Sequence, residues 1–380
     1  MNNLRWQHNV LIRNSGVKEF WKQHFTPSSK LLYVLGRGFD PRMTLGIENV
    51  KETMPDINIE CVLIEFDEGR HSPSTKYKDL VNSNHTKLKS IVDTINLQKI
   101  SAWSKSEGKK IRVGDRQAAE LIGTILQGKD YTDIIVDISA LPRSIFFAII
   151  GKMLTIVDDE ITQGKPGPNF FVLAAENADI DFKIVEEELD EDLGYQHGLA
   201  GNIDSYADSQ PIIWLPLLGE GKKTHLDKAN QFIKPSEICP ILPFPSKNPR
   251  RSDNIFMEHQ EMLFDVLRVE AQNIMYVPEQ NPFEVYKKLI STIENYDNSL
   301  SALKGCKAVL STFCSKLLSI GALLAAYELT YPQKQQGSTL DVGVLHVDSQ
   351  GYNINDPKSL ESLRDKSELF VIWLTGIPYQ

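Results

Sequence analysis

The stretch Tyr131–Leu154, YTDIIVDISALPRSIFFAIIGKML, constrains the fold of this chain more than any other. Apolar and β-branched residues lead into Asp137 and Ser139, Pro142 follows, and an apolar segment of helical length then begins. The pattern reads as strand, tight turn and helix in one run. A second stretch, Lys307–Leu329 (KAVLSTFCSKLLSIGALLAAYEL), has the same plan, and its Lys316 stands, like Arg143, near the start of the helix. Two such units point to an internal duplication. They are also the units at which α/β proteins hold ligands, because the turn lies at the carboxyl edge of the sheet beside a helix N-terminus.

Around these two units the chain alternates regularly. Residues 1–29 read as an N-terminal extension with one short amphipathic helix at Val17–Phe25. Strand-length apolar runs follow at LLYVLG (ended by Gly36 and Gly38), Ile59–Phe66, Lys110–Val113, Asp133–Ile138 and Asn169–Ala174. Helices are expected from Pro41, at Lys87–Ile95, at Arg116–Leu126 and up to Leu154. Residues 186–210 open with six acids in seven positions and continue with Gly, Asn, Asp and Ser, the composition of a linker or surface loop. The rhythm then resumes with strands at Pro211–Gly219, Ile238–Phe244, Asn273–Pro278, Lys307–Thr312, Val342–Val347 and Leu369–Gly376. Helices are expected near Leu226–Ile233, near Ile255–Leu267, from Pro282 and after Lys316. Strands alternating with helices imply parallel sheets covered on both faces. The expected fold is α/β, two tandem Rossmann-like modules over 30–185 and 211–380, each a mainly parallel sheet flanked by helices.

A length of 380 residues fits two domains better than one. The net charge of −9 argues against general binding of nucleic acid or anionic membrane, which needs an excess of Lys and Arg. Cys61, Cys239, Cys306 and Cys314 form no CxxC and have no metal-spaced His, so no metal site is expected and a reduced compartment is. The N-terminus lacks the apolar core of a signal peptide, and no run approaches the ~18 apolar residues of a membrane span. The expected address is the cytoplasm.

In an open parallel sheet, ligands sit outside the carboxyl ends of the strands. In the first half this selects Gly36, Gly38, Asp40 and Arg42 after the first strand, Glu65 and Asp67 after the second, and Asp137, Ser139 and Arg143 after the fourth. Glycines admit a phosphate close to the backbone, and arginine holds phosphate or carboxylate with paired hydrogen bonds. GRGFDPR is neither a complete GxGxxG nor a Walker A loop. A second reading therefore stands beside the first: the glycines serve a tight turn, Asp40 caps a helix and Arg42 pairs with a nearby acid. Asp137, flanked by apolar residues, needs a partner if buried, and Arg143 or Arg42 could supply it. In the second half the same positions are Gly219–Lys223, Ser246–Arg251, Glu279, Asn281, and Ser311, Thr312, Ser315 and Lys316. Lys222, Lys223, Lys247, Arg250 and Arg251 add local positive charge to an acidic chain. No HExxH, GxSxG, kinase or zinc-deaminase signature occurs. His346, two residues before Asp348, is a candidate base or a packed histidine.

The segments LSTFCSKLLSIGALLAAYE and DISALPRSIFFAI resemble the ligand-binding turn of CARF-type Rossmann-like sensor domains, and the tandem halves resemble SAVED domains of bacterial antiviral systems. In that family a Thr/Ser–Gly–Gly–Thr–Lys turn contacts a cyclic oligonucleotide. The resemblance matches Ser311 and Thr312 to the start of the turn and Ser315 and Lys316 to its end. Phe313 and Cys314 stand in place of the glycines, as do Ala140, Leu141 and Pro142 in the first half. It implies a sensor or accessory subunit that binds a nucleotide-like anionic ligand. Two alternatives remain: a nucleotide- or nucleoside-processing enzyme using Asp40 or Asp137 with Arg42 and Arg143, and a scaffold in a multi-protein complex. The expected partner is a small nucleotide-like ligand, with a protein partner or homo-oligomer left open. The cofactor is not specified by the sequence.

Overall fold

Lys30–Arg37 is an interior strand of the first sheet because both of its faces are apolar. Leu31, Tyr33 and Leu35 point to one side and Leu32 and Val34 to the other, and all five are buried. Parallel neighbours extend it on both sides. The order Ile95–Ser101, Asn58–Asp67, Lys30–Arg37, Asp133–Asp137, Asn169–Glu176 corresponds to sequence ranks 3-2-1-4-5. One face is covered by the helices Ser15–His24, Leu45–Thr53 and Lys78–Ile91, through Val17, Trp21, Ile47, Val50 and Leu88. Gly114–Leu126 and Arg143–Thr162 pack together, with Gly114 close to Ile145.

The computed structural model describes residues 4–69, 72–106, 109–190, 193–203, 210–335 and 340–379. His71 and positions 191–192 and 204–209 of the expected linker lie outside them. The described chain divides into a first module, His8–Glu188 with Ser349–Gln380, and a second, Met1–Gln7 with Leu189–Asp348.

The second module repeats the strand order of the first. Its parallel strands run Asp341–His346, Lys307–Thr312, Ile212–Leu217, Ile241–Pro243, Met275–Val277, which are sequence ranks 5-4-1-2-3, the same arrangement listed from its other edge. Its helices are Lys223–Ile233, Arg251–Gln260, Pro282–Ser299 and Lys316–Gln335. The two stretches that opened the sequence reading are thus the fourth strand and following helix of each sheet. The fold is α/β with two Rossmann-like modules.

Four sequence expectations change. The strand Glu368–Thr375 belongs to the first sheet, antiparallel to Asn169–Glu176, and not to a module spanning 211–380. Its residues Leu369–Leu374 are buried throughout, so its composition suits the interior of either sheet and does not name one. Residues 1–29 are not an extension. Val10–Arg13 pairs with Glu368–Thr375, Trp21 is fully buried, and His24 Nε2 lies 2.6 Å from Asp133 Oδ1; Trp6 packs edge-on against Tyr286 in the second module. The described part of 186–210 is built into structure: Ile184–Leu189 and Gly194–Tyr195 are strands, and Leu199 and Ile203 are buried. Ile95–Ser101, only partly buried at the sheet edge, is the third parallel strand, whereas Lys109–Arg112 forms a separate hairpin with Trp103–Ser106. Among the described residues no helix is long and apolar enough to cross a membrane.

Candidate functional site

In each sheet the strand order reverses between the first and fourth strands, and the turns leaving those two strands meet there. In the first module these are the turns after Arg37 and Asp137. A Cβ on Gly36 would lie 2.8 Å from the Ala140 carbonyl oxygen and 2.8 Å from Leu141, so this glycine permits close contact between the turns. A Cβ on Gly38 would find only ordinary contacts, 3.5 Å away.

Three charged candidates of this module, Asp40, Arg42 and Asp137, turn inward. Asp40 caps the short helix Pro41–Thr44 by accepting from the Arg42 N–H at 2.9 Å. The Arg42 guanidinium, 3% exposed, donates to Asp40 through Nε and Nη2, to Asp181 at 2.8 Å and to the Ala175 carbonyl at 3.2 Å. Burial disfavours this cation, but Asp181 and Asp40 outweigh it and raise its pKa well above the ordinary value. The reading in which Asp40 caps and Arg42 pairs with acids is the observed one. Asp137 is also buried, accepting from the Tyr33 hydroxyl at 2.8 Å and from the Ser139 N–H at 3.0 Å. Arg42 is thus held away at Asp40 and Asp181, and a tyrosine that the sequence reading did not consider answers the buried carboxylate. The Ser139 hydroxyl accepts from the Ala175 N–H at 2.9 Å. Asp67 is exposed and accepts from Gly69 N–H. Arg143 begins the helix Arg143–Thr162 and is half-buried.

The same edge is covered by the chain's own late segment. Phe39 packs against Tyr77 and Tyr352, with ring centroids 5.3 and 6.2 Å apart. Arg364, buried, donates to the Pro41 carbonyl at 2.9 Å, to Thr44 at 3.1 Å and to Glu48 at 2.5 Å. Burial pushes the Glu48 carboxyl up, yet the hydrogen bonds from Arg364 and Thr44 leave it below its usual range.

Tyr33 offers a test by pH. Burial, and then the charge of Asp137, raise the Tyr33 hydroxyl well above its ordinary value of 10.0. A folded pKa above the unfolded one means the contribution is fully present below the unfolded value and is lost as pH rises through the folded one. Stability of the first module is therefore expected to fall as pH rises above about 10, and Tyr33→Phe is expected to remove part of that slope. Thermal unfolding of both proteins over that rise measures it; identical slopes would contradict the assignment.

In the second module the corresponding turns follow Leu217 and Thr312. Ser311 is buried and accepts from the Trp214 Nε1–H at 3.0 Å, and Thr312 is also buried. Cys314, Ser315 and Lys316 are half-buried in succession. Ser315 caps the 20-residue helix Lys316–Gln335, its hydroxyl accepting from the Leu318 N–H at 3.3 Å. A Cβ on Gly219 would run into the Phe313 carbonyl, the counterpart of the Gly36–Ala140 contact. His259, fully buried, reaches the Gly219 carbonyl at 3.0 Å and braces the same loop.

Some of the expected basic residues are committed to acids. Lys223 pairs with Glu261 at 2.9 Å, and Arg251 pairs with Glu279, which also accepts from the Lys247 N–H at 3.1 Å. Lys247 and Arg250 are exposed. His346 Nε2 stands 2.6 Å from Asp348 Oδ1 at the end of the strand beside Lys307–Thr312. The sequence signal for this pair was the H-x-D spacing at a strand end. Among the described residues no three His, Cys, Asp or Glu side chains gather as a metal site.

No family model and no curated protein matches the chain. Among solved structures it is similar to a universal stress protein of Pseudomonas aeruginosa UCBPP-PA14, with 12% identity and a TM-score of 0.24, over 89% of this chain and 99% of that one. It is also similar to a UDP-N-acetylglucosamine 2-epimerase of Listeria monocytogenes, with 10% identity and a TM-score of 0.23, over 74% of each chain. Likenesses this slight carry nothing about the ligand, and the assignment of fold rests on the strand order of the two sheets.

Proposed function

We propose that this chain binds a nucleotide-like anionic ligand as a sensor or accessory subunit, and that the second module holds it at the Thr312–Lys316 turn. The reading rests on one contrast between two sheets of the same strand order. In the first, Asp40, Arg42, Asp137 and Ser139 are spent on internal hydrogen bonds. In the second, Ser315 and Lys316 stand half-buried at the start of a long helix, as Arg143 does in the first, but with a capping hydroxyl where the first has Pro142, and backbone amides and the helix dipole favour an anion there. The hydrogen bonds of Asp40 with Arg42 and of Asp137 with Tyr33 favour the binding reading over the enzyme alternative. The resemblance to CARF and SAVED sensors adds a cyclic oligonucleotide as ligand class and antiviral defence as setting.

Calorimetric titration with ATP and with cyclic oligoadenylates tests the proposal. Lys316→Ala is expected to weaken binding by about tenfold or more, the value of one charge-assisted hydrogen bond. Arg143→Ala is expected to leave it within about twofold, a difference of under 0.5 kcal/mol. Equal affinity of the wild type and Lys316→Ala would remove the site from the second module.

A further inference from the structure

The chain passes between modules three times, after Gln7, Glu188 and Asp348, and the last two crossings lie side by side. The strands on the first-module side of these two crossings, Ile184–Leu189 and Ser349–Ile354, pair with each other. Just inside the second module, the Asp190 N–H donates to the Asp348 carbonyl at 2.9 Å. These two crossings are therefore tied to each other by backbone hydrogen bonds.

Asp348 is also linked, through His346, to the strand that leads into the proposed ligand turn. Ser311 is in register with Leu345, which puts Thr312 beside His346 in the next position along the two parallel strands. On the opposite side His346 is paired with Gly194, where an added Cβ would meet nothing within 4 Å. The face of the sheet next to His346 is thus open at that position, because directly opposed residues of an antiparallel pair project to the same side. His346 and Asp348 side chains are each 11% exposed and 2.6 Å apart.

Immediately beyond Asp348 the chain enters the strand Ser349–Ile354, which is held firmly in the first module. The Tyr352 N–H donates to Ser74 at 3.0 Å and the Ile354 N–H to the Tyr77 hydroxyl at 2.6 Å, while Tyr77 packs on Phe39. One short run of chain therefore joins the edge of the ligand turn to the cover over the first sheet.

We infer that the His346–Asp348 pair is the output coupling of the sensor: an anion seated at the Thr312–Lys316 turn competes with Asp348 for the His346 imidazole, and the displaced Asp348 alters the paired strands Ile184–Leu189 and Ser349–Ile354. This rests on the second-module site proposed above. A ligand shifts such an equilibrium only by its unequal affinity for the two arrangements, and the carboxylate–imidazole contact supplies that inequality.

Hydrogen-exchange mass spectrometry on the full chain, with and without saturating ATP or cyclic oligoadenylate, tests it. Ligand is expected to change exchange in peptides covering 184–189 and 349–354 by about fivefold or more in the wild type. In Asp348→Ala binding is expected to persist and this response to vanish; Asp348→Asn, which keeps an acceptor, is expected to retain part of it. A ligand that binds the wild type without changing these peptides overturns the coupling and leaves the site intact. A response undiminished in both variants overturns it as well. Failure of every probe to bind the wild type removes the site, and the coupling with it.

Discussion

Arg42→Ala is expected to lower the stability of the first module by about 3–5 kcal/mol, the range for removing one partner from a buried ion pair. The guanidinium is 3% exposed, and its loss would leave the Asp40 carboxylate buried without its cation and the Ala175 carbonyl without that donor. The Asp181 arm contributes less, because that carboxylate is 46% exposed and screened by water. Urea unfolding should show the first-module transition moving to lower denaturant while the second-module transition stays in place, each treated as its own cooperative step. Arg42→Ala with Asp40→Asn should recover part of the loss, since the orphaned charge is then gone. An arginine serving as a phosphate clamp would give the opposite pattern, with stability little changed and ligand affinity reduced.

Gly219→Ala should be among the most damaging single-methyl changes in the second module. Its Cβ would meet the Phe313 carbonyl, which is backbone and cannot swing aside like the end of a side chain. One of the two turns must move, at a cost of about 3 kcal/mol or more, the upper part of the range for overpacking. The contact presses on the turn that carries Ser315 and Lys316, so ligand affinity should fall with stability. Gly36→Ala should do the same to the first module more mildly, against the Ala140 carbonyl at 2.8 Å, and Gly38→Ala should be neutral to within about 0.5 kcal/mol. Thermal unfolding of the three variants measures the series. A harmless Gly219→Ala would show that the two turns are not in contact.

These expectations separate what a sequence can say about such sites from what it cannot. Gly36, Gly38, Asp40, Arg42 and Asp137 were all legible as residues following strands, and the strand order does bring them to one edge. Their roles were not legible. Whether Arg42 turns toward a ligand or toward Asp181 depends on a residue 139 positions later. Whether Asp137 is catalytic or capped depends on Tyr33, 104 positions earlier in the chain. Arg364, which secures the cover over the same edge through Pro41 and Thr44, comes from a segment that reads as part of the other module.

The sequence by itself determined the α/β class, the strand–turn–helix repeat and most of the central strands. Those strands are apolar on both faces, and that requirement is local: any segment such as LLYVLG or KAVLST must be covered on two sides wherever it goes. Only the tertiary structure decided that Glu368–Thr375 returns to the first sheet, that Val10–Arg13 joins it at the edge, and that Arg42 and Asp137 are answered by Asp181 and Tyr33. Backbone pairing and the direction of a charged side chain are settled by partners far along the chain, and hydrophobic pattern carries no information about which partner that is.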